Sequence, residues 1–594
     1  MRKTIEINNF KKNLDLKKDI KPNIKNYFIG PWCLDLKDIL KGSNKDTLDM
    51  YLPNNINKFE KDIDYLIKNY NLMLNILYKN LNLIHGTNYK KSFWEILIGR
   101  WLYTWINQVY FRWEYINKIN KKFRIKKFII SQDALKNTIP INTEHAHKLN
   151  RGDDRWSELT FLKIIKYRKD IKTKIIKKKN KNRISELKNK YNQISFPKFS
   201  IYNKFSKVFF YNFELNLKAR VKIKKYLKNF FLSYSSTKTL SYKNTKLREN
   251  FDNLLNNSKN NLLNNSKNNF FNFLTSNIKL NIPKIFLENF FVLKEIYSIS
   301  KWPIKVEYIL TSYGHYYDEL FKFYVANQKI NSKSKLCILQ HGYGNMFTKD
   351  DYYNVYLDRK ISDMYLSWGK LKKNRNLPFF YPRLSGSKIN EFKFNVSKNI
   401  LLISYSFSSA LLNPPDGTQN GNIINYKNFS KIINLVDNID NCISKKIYIK
   451  NQNMNATNNF EYLLKKKNPS INLINESKKL LKIIEDYNLY IHIFFGTPFF
   501  ECMTLNKPSI IIYNKNDHQP FDRKFKNYIG KLEKENILFK NEKTASNFLN
   551  NNYFNLEKWW NKKSLQKLRN KFCSDYCFYS NNETKIIKNL GLNN

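Results

Sequence analysis

Acidic residues are scarce in this chain: 48 Asp and Glu stand against 105 Lys and Arg, a formal net charge of +57 over 594 residues. Such an excess ordinarily points to a polyanionic partner. No zinc-finger, helix-turn-helix or RNP-type pattern accompanies it, and it consists mostly of Lys spread along the whole chain beside abundant Asn and Ile. A coding sequence biased toward A and T fills unconstrained surface positions in this way, so nucleic acid is not expected as a partner. Peripheral contact with the inner, anionic face of a cell membrane stays open, because many exposed lysines act together there. Cysteine is sparse as well. Cys33, Cys337, Cys442, Cys502, Cys573 and Cys577 are too scattered for a disulfide framework or a zinc quartet. The opening MRKTIEINNFKKNLDL lacks the apolar core of a signal peptide. The richest aromatic stretch, SFWEILIGRWLYTWINQVYFRWEYINKI, is broken by Glu95, Arg100, Gln108 and Arg112 before it could cross a bilayer. A cytoplasmic, reduced protein is expected. No D-x-D-type metal motif can be placed, so no metal and no cofactor is expected.

A chain of this length can bury large cores and should form two or three domains. Tyr27 to Leu34 reads as a strand entering a turn at Gly30-Pro31. Phe59 to Ile84 carries Ile63, Leu66, Ile67, Tyr70, Leu74, Leu77 and Leu81 at helical spacing. Ser92 and Glu95 form a capping-box pattern for a second helix running to about Ile119. Phe128 to Ser131 reads as a strand, and the lysine-rich residues 163 to 195 as a solvated helix or loop. Residues 233 to 282 turn to Asn, Ser and Lys, with LLNNSKNN repeated in tandem, and read as a dispensable surface insertion.

Order returns at Ile304. A strand, a turn and a helix lead to the buried strand Lys335 to Gln340, which delivers His341-Gly342-Tyr343-Gly344 at its carboxyl end; His315 lies at the same edge. The glycines permit close backbone approach, and an imidazole can act as a base near neutral pH. For His315 a structural role is expected. After the strand Asp363 to Trp368, residues 376 to 395 carry Pro378, Pro382 and Gly386 and read as a linker. Ile400 to Ser404 opens a second sheet, with Ser404, Tyr405, Ser406 and Ser408 in the loop behind it. Those hydroxyls could meet phosphate or sugar, and a plain polar loop fits equally well. Helices are expected near 427–442, 476–487, 523–535 and 556–573, and a strand at Lys446 to Lys450.

The stretch organising this half is LYIHIFFGTPFFECMTLNKPSIIIYN, Leu489 to Asn514: a β-rich run, a turn at Gly496, a Thr497 cap, Pro498 at the first helical position, Glu501 one turn in, and a second buried strand. A helix N-terminus at the carboxyl edge of a parallel sheet suits an anion or nucleotide, though any βαβ unit needs the same turn. Strand, G-T, a helix with an early Glu, then NKPSI and a strand resembles the donor-side unit of GT-B glycosyltransferases. FIGPWCL, SFWEILIGRWLYTWINQVYFRWE, QHGYGNMF, DMYLSWGK and EKWWNKKSLQKLRNKFC together resemble a family of transferases associated with surface-carbohydrate and O-antigen biosynthesis. The QHG-x-G turn is similar to the acceptor-side loop of bacterial polysaccharide and teichoic-acid GT-B enzymes.

The resemblance implies an α/β fold of GT-B type, two Rossmann-like domains facing across a cleft. Residues 1–385 form the acceptor-side domain with helical additions, and 396–594 the donor domain with a helix crossing back. It implies metal-independent transfer of a sugar from a nucleotide sugar to a glycan or lipid-linked acceptor, a lipopolysaccharide O-antigen or other surface polysaccharide precursor. His341 would be the base, with Gln340, Gly342, Tyr343 and Gly344 around the acceptor. Gly496, Thr497, Glu501, Ser404, Lys450 and Arg523 would face the donor, Glu501 accepting from the ribose. Arg523 fits an ordinary surface loop equally well, and Lys450 stands where many relatives carry a stronger phosphate-binding element. A nucleotide-sugar isomerase or hydrolase, or a non-enzymatic membrane- or nucleic-acid-binding protein, remain the alternatives.

Overall fold

The computed structural model describes residues 3–9, 26–42, 47–48, 56–136, 139–168, 171–176, 193–201, 207–214, 232–239, 245–263, 269–300, 302–342, 355–370, 376–407, 421–454, 460–474, 478–514 and 521–580. The first core forms around the helix Lys91–Lys122, which buries residues on every side, from Trp94 and Trp101 to Tyr115 and Ile119. A helix apolar all round must be enclosed, and here Ile56–His85, Thr143–Gly152, Asp154–Tyr167 and Glu319–Asn331 enclose it. Its one fully buried arginine, Arg112, is satisfied by the Gln108 side chain and carbonyl and by Ser157. No helix among the described residues is long and apolar enough to cross a membrane. The expected capping box does not form: the helix begins at Lys91 with Lys90 as cap, and Glu95 instead accepts from the Tyr70 hydroxyl and pairs with Lys360.

The region before residue 385 holds two parallel sheets where one was expected. Strands β1 (Lys3–Asn9), β2 (Asn26–Phe28), β3 (Phe123–Ser131) and β4 (Lys172–Ile176) lie in the order β2-β1-β3-β4. Part of the lysine-rich stretch is thus an edge strand, whose exposed Lys172 and half-buried Lys174 discourage pairing with another chain. Next come β5 (Gln193–Ile201), β6 (Val208–Phe210) and β7 (Leu232–Thr239); β5 and β7 pair antiparallel. Strand β6 begins a five-stranded parallel sheet with β8 (Tyr308–Thr311), β9 (Lys335–Leu339), β10 (Met364–Ser367) and β11 (Asn376–Pro378), laid side by side in chain order.

The last sheet contains β12 (Asn399–Phe407), β13 (Ile447–Met454), β14 (Asn472–Leu473), β15 (Tyr487–His492), β16 (Ser509–Ile512) and β17 (Leu538–Phe539). All its strands are parallel, in the order β14-β13-β12-β15-β16-β17. Counted from β12 this is 3-2-1-4-5-6, the doubly wound dinucleotide-binding order. The helix expected over 476–487 is reduced to Leu480–Ile483, because Tyr487 already pairs with Asn399 in the sheet. The final helix is split at Asn561-Lys562 into Leu556–Trp560 and Lys563–Tyr576. The chain then returns to the middle sheet: Lys370 N–H donates to Ser574 O, Phe578 N–H to Trp368 O, and Tyr381 N–H to Phe578 O. Gly369 is required there, since a Cβ would lie 1.9 Å from the Asp575 carbonyl oxygen.

Residues 233–282 are not a passive insertion. The helix Thr245–Leu263 buries Phe251 and Leu255, and Phe270, Phe271, Phe273 and Leu274 follow into the core, with Phe270 and Phe273 against the Trp113 ring at 5.7 and 5.4 Å. Arg248 makes a two-pronged ion pair with buried Glu288 (2.6 and 2.7 Å). The tandem repeat hid this because the packing residues lie mostly outside it, as aromatic side chains at helical spacing. Phe251→Ala should therefore cost about 3–5 kcal/mol, read by chemical denaturation. A change within about 0.5 kcal/mol, as for an exposed site, would restore the view of this segment as a dispensable insertion.

Candidate active site

Strands β8 and β9 end side by side, and the turns behind them carry His315 and His341. His315 is buried and fixed: Nε2 meets Asp358 Oδ1 at 2.8 Å, and Tyr316 donates to the other Asp358 oxygen at 3.1 Å. Burial lowers its pKa despite that carboxylate. His341 is 40 % exposed, with Nδ1 3.1 Å from Glu214 Oε1. Gly342 supplies the left-handed backbone (φ 95°) that turns the chain, and nothing lies within 4 Å of where its Cβ would be. Gln340 does not face an acceptor as expected. It is fully buried, its amide donating to Gly342 O and accepting from Trp368 N–H, so it braces the turn. Tyr343 and Gly344 lie outside the described residues.

On the other sheet the order reverses between β12 and β15, where ligands of doubly wound folds bind beyond the carboxyl ends. The helix Thr497–Thr504 starts at that point, with Gly496 as cap, half-buried Thr497 at the first position and Pro498 at the second. Three expectations change. Ser404 lies inside β12, which runs on to Phe407, and is fully buried; its Oγ has no partner among the described residues. Lys450 is likewise interior, because β13 pairs with β12 as far as Met454, leaving Lys450 four residues short of the edge. Polar side chains do not end a strand whose backbone is still paired. Glu501 is 5 % exposed and accepts from the Tyr381 hydroxyl at 2.7 Å, so it grips the linker and is not open to a ribose. Arg523 is exposed in the first turn of the helix Arg523–Lys534, which Asp522 caps.

The residues that join the halves come from the linker. Arg383 Nη2 donates to Glu214 Oε1 at 2.6 Å and carries its charge toward Tyr381 and Glu501. Glu214 is buried, which alone would raise its pKa; the His341 hydrogen bond and charge and the Arg383 guanidinium outweigh this and hold it low. In a neutral ring an ionised carboxylate at Nδ1 favours the tautomer with its proton on that nitrogen, which leaves the Nε2 lone pair available. Glu501 is pushed up to about 7, by burial first and by repulsion from Glu214, against the pull of Tyr381 and Arg383. His341, Glu214 and Arg383 thus form one contact chain at the edge of the middle sheet and Tyr381 and Glu501 a second at the last sheet, the two joined by the linker that carries both Tyr381 and Arg383. Glu214, Tyr381 and Arg383 went unnoticed in the sequence. The available signal for Glu214 was an acid directly after an apolar run, VFFYNFE, in a chain so short of acids.

Residues 15–590 match the LIC12162 family transferase. The chain belongs to that family. No curated protein matches it. Among solved structures it is similar to the wall teichoic acid polymerase TagF: 9 % identity, 48 % of this chain and 72 % of that one covered, TM-score 0.31. It is similar also to S. aureus MnaA in complex with UDP (11 %, 51 % and 80 %, 0.31) and to the spinosyn rhamnosyltransferase SpnG with spinosyn aglycone (9 %, 59 % and 82 %, 0.28). Scores this low assign no chemistry to this transferase.

Glu501 gives the site a pH signature. The folded protein retains its proton up to about pH 7, whereas the unfolded carboxyl releases it near the ordinary 4.5. The unfolded state then binds fewer protons between those values, and stability falls as pH rises through that window, by on the order of 3 kcal/mol. Glu501→Gln keeps an acceptor for Tyr381 and should flatten the fall between pH 4.5 and 7.5 in denaturant titrations. An unchanged slope in the variant would place the titration elsewhere.

Proposed function

We propose that this transferase moves a sugar from a nucleotide sugar onto a hydroxyl of a surface-glycan precursor, a lipopolysaccharide O-antigen intermediate or another lipid-linked saccharide. The observation that carries the reading is that one linker segment binds both sides, Arg383 to the Glu214 that holds His341 and Tyr381 to Glu501 on the helix of the last sheet. The donor phosphates would lie at the N-terminus of Thr497–Thr504, taking the backbone N–H groups of Gly496 and Thr497 and the Thr497 hydroxyl. His341 Nε2 would remove the proton from the acceptor hydroxyl as its oxygen attacks the anomeric carbon. The bond from that carbon to the nucleotide phosphate breaks, and the phosphate leaves with the electron pair. Glu214 would hold the imidazole in orientation and stabilise the imidazolium formed. In this reading the leaving group's charge is met by the helix N-terminus and nearby basic side chains such as Arg383, without a metal ion. The lysine-rich surface suits work beside an anionic membrane face.

A thermal-shift screen against nucleotide sugars finds the donor, because a ligand that binds only the folded state raises its melting temperature. Thr497→Val should weaken that donor; unaltered affinity removes the helix from the donor site. His341→Ala should lower single-turnover rate about a hundred- to ten-thousandfold with donor affinity and melting temperature little changed, since the ring is 40 % exposed. Near-normal turnover in a folded variant refutes the base.

A further inference from the structure

Next to the turn after β8 a cleft lies between the helices Lys91–Lys122 and Thr143–Gly152, its walls too close to admit even a water-sized sphere. It is narrow, so a ligand has to part its walls. Arg100, Trp101, Thr143, His147, Asn150 and Tyr317 line it. Arg100 is 9 % exposed, and its Nε and Nη1 have no hydrogen-bond partner among the described residues; nor do Trp101 Nε1 and His147 Nδ1. The guanidinium lies over the Tyr316 ring, 4.3 Å from its centre. That contact supplies attraction but no hydrogen-bond acceptor.

The carboxylates nearby are committed. Glu319 pairs with buried Lys322 and accepts from Thr143 N–H at 2.6 Å. Asp358 has one oxygen on His315 and the other on Tyr316. Further cations crowd in: Arg151 sits 3.3 Å from His147 Nε2, and burial, then Arg151 and Arg100, push His147 far toward neutral. A buried guanidinium without an acceptor costs several kcal/mol, and the usual remedy is a counter-charge that also accepts hydrogen bonds.

We propose that this cleft is a binding site for an oxyanion, a phosphate or a group presenting the same acceptor oxygens, held by Arg100 with Trp101 Nε1 and His147 Nδ1. The unpartnered Nε and Nη1 of Arg100 lie on different sides of the guanidinium, so each offers a single charged donor, and an oxyanion with several acceptor oxygens can take one of them together with Trp101 Nε1 and His147 Nδ1. The site is distinct from the helix at Thr497. It lies on the side of His341, whose ring centre is 6.0 Å from that of Tyr316, the ring beneath Arg100. The anion is either free in solution or carried on a saccharide.

The test compares melting temperature in inorganic phosphate and in chloride at equal ionic strength, then in a hexose 1-phosphate. Phosphate should raise the melting temperature of the full chain. Arg100→Met should melt no lower than the parent in chloride and bind phosphate about tenfold to a hundredfold more weakly, the loss of a charged hydrogen bond or two. His147→Gln, which leaves the guanidinium in place, should weaken binding severalfold and serves if Arg100→Met does not fold. A larger response to the hexose phosphate than to phosphate assigns the anion to a saccharide; an equal one assigns a small free anion. The inference is overturned if phosphate and chloride give the same melting temperature, if the response survives in Arg100→Met and His147→Gln, or if Thr497→Val abolishes it.

Discussion

One guanidinium ties the linker between the two halves to the middle sheet. Arg383 pairs with Glu214, beside His341, and its charge also draws down the pKa of Glu501, on the helix of the last sheet, which burial and Glu214 push up. Both acids are largely buried, and an ionised carboxylate taken out of water is costly unless paired and hydrogen-bonded. Tyr381, two residues earlier on the same segment, supplies the hydrogen bond that Glu501 needs. The segment joining the sheets is thus also the segment that neutralises them, and their relative placement is coupled to the charge state of the site.

That coupling requires the rest of the fold to aim both sheets at one point. Parallel strands send all their carboxyl ends to the same edge, which is why β8 and β9 deliver two histidines together and why β12 and β15 flank a helix start. The return of the chain after Lys563–Tyr576 fixes the angle between the sheets. Its backbone lies so close to Gly369 that no side chain fits, and it is hydrogen-bonded on both sides of that glycine. Thr504, at the end of the helix that starts at Thr497, donates to Cys577 O in the same strap. The helix that starts at Thr497, the strap and the middle sheet form one connected body.

What could be read from the sequence was what periodicity and turn chemistry encode. The buried helix of residues 91–122, the βαβ unit around Gly496 and the strand before His341 all announce themselves within a window of about twenty residues. The missed features depend on pairing over longer distances. The strands holding Ser404 and Lys450 continue past the expected ends because a partner backbone is present. Gln340 turns inward because Trp368 N–H waits for it 28 residues away. Glu214 and Arg383 are separated by 169 residues, and nothing local marks either as a member of a pair. The aromatic residues around the LLNNSKNN repeat were hidden in another way, by a composition that resembles disorder while its flanks carry core.

The shortage of acids makes the interior charges informative. With 105 basic residues and 48 acidic ones, a buried cation finds a carboxylate only where the fold brings one to it. It does so for Arg248 through Glu288 and for Lys322 through Glu319; Arg112 is instead satisfied by neutral acceptors on its own helix and on Asp154–Tyr167. Arg100 has a place in the same core and none of these remedies. Surface lysines cost nothing unpaired, because water solvates them, but a guanidinium enclosed by Trp101, His147 and Tyr317 has no such recourse. Buried charge is tolerated where acceptors complete it, neutral ones within the chain for Arg112 and, in the proposal made for Arg100, an anion from outside it.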